Sequence, residues 1–315
     1  MVFGGELLMT GNEIEEKYTA ALCALRSYKS VGFFSREYAI LRSREILDNV
    51  EKEFLEANDQ NREMLEKTLK ISQLLTYREL FEKMFLSIED FAAIVSALMH
   101  PLEEFHVWVA KAPNIKKVFQ NITDDKIYEV MKYRDISDYN ECEANIVKKY
   151  RAKTIELSKK VFETILNFYI LNEKAYIRMK HGNSLFYSIN TVNIKGIDTF
   201  VIPVEYNTKS IEQVDMLLLN SFIYDKIYIL FQYIQDFQRI LCDINMDFIE
   251  NGEIYHPIGL VQEPESMEDK ELLEGIISKY TPKTAVRYNI NTMINLKANL
   301  KKINTIIDFY NNIPL

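Results

Sequence analysis

A chain of 315 residues, 48% of them hydrophobic and only 9 glycine and 7 proline, has the composition of a folded protein that buries roughly 75% of its unfolded surface, and it excludes dominant disorder. The formal net charge of −8 argues against generic attraction to nucleic acid or to an anionic membrane, because the long-range field repels both. Three widely spaced cysteines, Cys23, Cys142 and Cys242, form neither a disulfide framework nor a zinc knuckle and fit reduced thiols in the cytoplasm.

Residues Met1 to Thr10 lack the basic start and apolar stretch of a secretion signal. The longest apolar stretches, such as Ala92 to Met99, fall short of the roughly 20 residues that span a bilayer, so no membrane association is expected. Few helix breakers and many Leu, Ile, Lys and Glu predict a mainly α fold, a bundle of long antiparallel helices. The first helix is expected over Asn12 to Ser30, with an apolar face through Ile14, Tyr18, Ala21, Leu22 and Leu25. Ser35 caps the second, and a third runs from Arg62 to Leu86. Ser87-Ile88-Glu89-Asp90 then matches a capping-box start for an apolar helix that ends before Pro101. Phe105 to Val109 reads equally as a short strand or a helical turn, and Thr123 caps a short helix through Ile127, Val130 and Met131.

Two long helices dominate the middle. One spans Asp138 to Lys180; the other carries Ile223, Ile227, Leu230, Ile234, Phe237, Leu241, Ile244 and Phe248, whose alternating spacings of four and three form a lengthwise packing seam. Between them lies the β signal, a small hairpin near 185–206. Its arms are Leu185 to Asn190 and Thr199 to Tyr206, its turn contains Lys195-Gly196, and Pro203 places the second arm on an edge. The reading gives a helical domain over 1–250, a linker over 251–266, and C-terminal helices over 267–315 that pack on the same bundle, since two helices are marginal alone.

Phosphate-cradling glycine loops, nucleophile elbows and the common zinc motifs are absent from the sequence. His100, Glu103, Glu104 and His106 lie close together, but Pro101 interrupts them, so a helix terminus is expected there and no metal site. Charge is more informative. From Lys148 to His181, nine basic residues (Lys148, Lys149, Arg151, Lys153, Lys159, Lys160, Lys174, Arg178, Lys180) face only Glu156, Glu163 and Glu173, a balance of +6 in 34 residues that leaves −14 for the rest. Such a helix binds an anion, solvates the outer face, or pairs with acidic neighbours in the bundle or a partner subunit.

Its end, Ala175-Tyr176-Ile177-Arg178-Met179-Lys180-His181-Gly182, gathers cations at the negative pole of the helix dipole beside a titratable imidazole, with a glycine to stop the helix. Tyr176 to Gly182, followed by a β-like segment, resembles the Y-N-x-x-K-H-G endings of some bacterial helical proteins. Those are similar to the HEPN group (higher eukaryotes and prokaryotes nucleotide-binding). The resemblance covers residues 85 to 250 as helix pattern and about seven residues as motif. It implies an all-helical, often dimeric protein of phage defence or toxin–antitoxin systems, whose active members cleave RNA without metal through a motif of an arginine, four to six intervening residues, and a histidine. Here Arg178 and His181 are separated by two residues, Lys174 stands seven before His181, and Ile177 replaces a usual polar residue.

The resemblance therefore implies His181 as acid–base and Arg178 as its catalytic partner, with Lys180 and Lys174 binding phosphate and no cofactor or metal. The implied ligand is RNA or a phosphate-bearing molecule, and the implied assembly a homodimer. The alternative is a non-catalytic helical scaffold that binds a protein partner through an exposed apolar patch on the C-terminal helices.

Overall fold

The computed structural model describes residues 11–180, 189–204, 216–252, 255, 257 and 264–280. Helix α1 (Gly11–Ser27) passes through a π turn (Tyr28–Gly32) into α2 (Phe33–Leu55). Next come α3 (Arg62–Leu98), a 3-10 turn (Leu102–Glu104), α4 (Phe105–Val109), α5 (Ile115–Gln120), α6 (Asp124–Val130) and a second 3-10 turn (Ile136–Asp138). Helix α7 (Glu141–Lys180) leads to strands β1 (Thr191–Ile194), β2 (Ile197–Pro203) and β3 (Met216–Leu219), then α8 (Ser221–Glu250) and α9 (Met267–Tyr280). The mainly α expectation holds. Among the described residues no helix is long and apolar enough to cross a membrane.

The chain divides into two compact units. The first takes the described residues within 1–31, 89–163 and 235–300, the second those within 32–88 and 164–234. The boundary cuts α3, α7 and α8 within their length.

In the first unit α1 packs on the Leu102–Glu104 turn and on α4. Helix α4 resolves the strand-or-turn ambiguity, because Phe105 and Val109, one turn apart, are both buried while His106 and Val107 are exposed. Thr123 caps α6 as expected, its hydroxyl accepting the Lys126 N–H at 3.4 Å, and Asn114 caps α5 by accepting the Lys117 N–H at 3.0 Å. Rings of Phe91, Phe119, Phe162 and Phe237 stack and cross at 5.8–5.9 Å to form the core. Polar groups of α8 tie down what surrounds it. Gln238 donates to the Tyr28 carbonyl at 3.2 Å, Asn245 donates to the Val130 carbonyl at 3.0 Å, and Asp243 pairs with Lys29. Leu273 and Ile276 of α9 pack into an apolar cluster with Tyr139, Ile146, Val147 and Tyr150.

The second unit holds α2, the first part of α3, the end of α7, the sheet and the start of α8. The Thr76 hydroxyl donates to the Ser43 carbonyl at 3.1 Å, linking α3 to α2. The sheet has three antiparallel strands in the order β1-β2-β3, not the two of a hairpin. The first arm lies at 191–194; residues 185–188 and 205–206, also assigned to the arms, fall outside the described residues. Lys195 (φ 51) and Gly196 (φ 84) both occupy the left-handed region, as a two-residue hairpin turn requires, and Asn193 accepts the Gly196 N–H at 3.0 Å. Strand β2 is central, yet β1 ends opposite Phe200. Beyond it, among the described residues, β3 alone flanks β2, and Pro203 pairs there with Met216. Asn220 joins sheet to helix: it caps α8 by accepting the Ile223 N–H at 2.8 Å and donates to Thr199 at 2.9 Å.

Two helix starts differ from expectation. Residues 62–98 form one helix with no break at Ser87, whose buried hydroxyl donates to the Lys83 carbonyl at 2.9 Å inside the helix. Ile88 and Phe91 are fully buried, so burial carries the helix through the capping signature. Ser35 likewise lies within α2, which starts at Phe33. The expected helices after Tyr280 lie outside the described residues.

Candidate functional site

Helix α7 brings Lys174, Arg178 and Lys180 to its last two turns, all exposed. His181 and Gly182 lie outside the described residues. Apolar packing anchors this end: Tyr176 is buried, and its ring stacks on Phe85 at 4.4 Å with planes 14° apart. Lys174 and Arg178, four residues apart, share a helix face. Lys180, about 200° around the helix from Arg178, instead sets its ammonium 5.5 Å from the centre of the Tyr176 ring. Lys174 and Arg178 are therefore brought together, and Lys180 is not. Arg178 makes no ion pair with another described residue.

The rest of the basic run has a different fate. Lys149 lies 2.6 Å from Glu265 and 2.7 Å from Asp269; Lys153 pairs with Glu265, Lys159 with Asp124, and Lys160 with Glu156. These contacts hold Glu265 and Asp269 below the ordinary carboxylate values and raise Lys149 above the ordinary ammonium value, with hydrogen bonding the main cause in each. The Tyr150 hydroxyl donates to Asp269 at 2.8 Å and accepts the Glu265 N–H at 2.9 Å. At the far end of α9, Glu143 accepts from Lys279 and from the Tyr280 hydroxyl, both at 2.9 Å. Most of the positive charge on this stretch of α7 is paired with carboxylates of the same chain.

Arg151 departs furthest from expectation. Counted in a basic face, it is 1% exposed. Its guanidinium lies 4.8 Å from the Tyr133 ring, 5.6 Å from Tyr139 and 5.9 Å from Tyr128, while Nε donates to the Pro257 carbonyl at 2.8 Å. Burial pushes the Tyr139 hydroxyl up to about 12, which keeps it neutral, and the guanidinium opposes that shift. A further guanidinium N–H donates to the Tyr139 hydroxyl at 3.4 Å, so cation–π attraction, one carbonyl and one hydroxyl solvate a buried charge. The signal was in the sequence: Arg151 stands four residues from both Val147 and Ile155, on the apolar stripe of α7.

His100 stacks flat on Trp108, ring centres 3.5 Å apart and planes within 5°, while the Lys111 ammonium lies 3.4 Å from the Trp108 ring centre. The indole N–H donates to Glu104 at 2.9 Å. The histidine packs one face of the only tryptophan, and among the described residues no three His, Cys, Asp or Glu gather to hold a metal ion. The cysteines are free thiols, Cys23 and Cys142 exposed and Cys242 buried, where desolvation pushes its thiol up to about 12. An apolar cavity between Val95, Met99, Ile127, Val130, Phe162 and Leu241 has about 10 Å³ of free volume, room for no more than one water.

Exposed apolar side chains concentrate on α2, where Phe34, Tyr38 and Leu41 follow one another at helical spacing. The patch expected on the C-terminal helices is not found on α9, whose Leu273 and Ile276 are buried. Compared with family models, curated proteins and solved structures, the chain has no match in any of the three.

Proposed function

We propose that this chain is an HEPN-like, anion-directed protein of the cytoplasm whose ligand is RNA, cleaved without metal at the C-terminal end of α7 in a defence or toxin setting. One observation supports the reading above others. The basic helix pairs Lys149, Lys153, Lys159 and Lys160 with carboxylates of the same chain, while Arg178 at its end is exposed on a face it shares with Lys174. That arrangement suits a single phosphate better than a long nucleic-acid track.

In this reading Arg178 binds the scissile phosphate through its planar fork, and Lys174 adds charge from one turn back. His181 takes the proton of the 2′-hydroxyl as its oxygen attacks phosphorus. The phosphorus–O5′ bond breaks, the proton taken by His181 passes to the leaving O5′ oxygen, and a 2′,3′-cyclic phosphate remains. Lys180, over Tyr176, supports the helix end. A homodimer that places two such ends together follows from the resemblance.

The test is cleavage of mixed cellular RNA in EDTA by wild type and His181→Ala. Cleavage lost in a variant with unchanged melting temperature supports the reading; equal inactivity of both overturns it. The second reading, a non-catalytic interaction module, is favoured by the exposed Phe34, Tyr38 and Leu41 on α2.

A further inference from the structure

Lys149 and Lys153, one turn apart on α7, already hold an oxyanion. It is the carboxylate of Glu265, 112 residues beyond Lys153 in sequence. Oε2 lies 2.6 Å from the Lys149 ammonium and Oε1 pairs with the Lys153 ammonium, so each oxygen takes its own cation. A phosphate, with more oxygens and more charge, can make the same two contacts.

Three observations make this more than a strut. The Glu265 side chain is 54% exposed, so an external anion can reach the lysines it occupies. Its backbone is held separately, by the N–H bond to Tyr150. Helix α9 is held by Leu273 and Ile276 in their apolar cluster, so the carboxylate can swing away without unseating the segment. The charged groups facing one another here are Lys149 and Lys153 from α7 against Glu265 and Asp269 from the α9 side. They balance with Glu265 in place, and removing its charge leaves the site positive.

We propose that Lys149 and Lys153 form a phosphate-binding site, separate from the end of α7, that Glu265 keeps filled as an internal competitor. The ligand is a phosphoryl group, from free phosphate or from a nucleotide strand. A strand brings many phosphates past the same point and competes better than a single ion.

The experiment compares wild type, Glu265→Gln and the triple variant Glu265→Gln/Lys149→Gln/Lys153→Gln. A labelled ten-nucleotide oligouridylate is followed by anisotropy, and inorganic phosphate by calorimetry. Glu265→Gln binds the oligonucleotide at least tenfold more tightly than wild type. Its log–log salt slope steepens by about 1.4, for two contacts at roughly 0.7 each, and the triple variant returns to the wild-type value. A parallel gain for inorganic phosphate makes the free ion a sufficient ligand; a gain with the oligonucleotide alone assigns the site to a strand. No gain with either ligand, or a gain that survives in the triple variant, overturns the proposal. Lys153→Gln added to Glu265→Gln isolates one cation: it removes at least threefold of the gain, and an undiminished gain counts against the site. Arg178 and His181 stay intact throughout, so RNA cleavage reports on the earlier reading independently.

Discussion

Replacing Phe85 with alanine tests how the end of α7 is held. Phe85 is 0% exposed, and its ring lies 4.4 Å from Tyr176, 5.0 Å from Phe81, 5.6 Å from Phe168 and 5.7 Å from Tyr169. Truncating a buried phenylalanine costs about 3–5 kcal/mol through lost transfer energy and the cavity left behind. Each aromatic pair adds roughly 0.5–1.5 kcal/mol beyond its area. The four partners come from two helices, α3 and α7, whose backbones limit collapse into the hole, so the expected loss is about 4 kcal/mol. That is a large share of a stability of about 5–15 kcal/mol. Urea unfolding followed by circular dichroism measures it, with Phe34→Ala as control. Phe34 is 63% exposed, and its replacement shifts stability by no more than about 0.5 kcal/mol. Because Phe85 stacks under Tyr176, over whose ring Lys180 sits, hydrogen exchange at residues 172–180 accelerates as well. A loss under about 1.5 kcal/mol, or unchanged protection there, refutes the idea that this stack anchors the site.

Tyr150→Phe removes one hydrogen bond to the Asp269 carboxylate and one from the Glu265 N–H, and the loss expected in urea is about 1–2 kcal/mol, moderated by the Lys149 contact that remains. A change too small to measure counts against the hydroxyl as the joint between α7 and α9. Acid acts on the same joint. Glu143, Glu265 and Asp269 are all held below their ordinary values of 4.5, 4.5 and 3.8, so their contribution is complete above those values and is lost as pH falls through the lower folded-state ones. Protection of α9 amides from exchange should therefore fall below pH 4.5 before that of α8, and simultaneous loss in both helices contradicts the assignment.

Long apolar seams were legible because burial repeats with the helix. The four-and-three spacing from Ile223 to Phe248 corresponds to eight buried residues of α8. Local chemistry at Thr123 was legible too, since a cap needs only neighbours in sequence. Ser87 misled because the same signature sits inside a helix when both flanks are buried, as Ile88 and Phe85 are. Strand β3, Met216 to Leu219, is a continuous apolar run, and a run without alternation does not announce its period. Charge was legible as a count and not as a partnership: Lys149 finds Asp269 120 residues away, a distance no spacing rule covers. At the candidate site, Lys174, Arg178 and Lys180 were legible as cations near the helix end, whereas the turn of Lys180 onto Tyr176 depends on the buried stack beneath it.

The central claim is that the end of α7 acts on a phosphate of RNA. Its most direct test is RNA cleavage in EDTA by wild type, Arg178→Ala and His181→Ala, with melting temperatures taken in parallel. The account predicts wild-type cleavage leaving 2′,3′-cyclic phosphate ends, reduced at least a hundredfold in both variants without loss of folding. No cleavage by wild type, or undiminished cleavage by either folded variant, contradicts it.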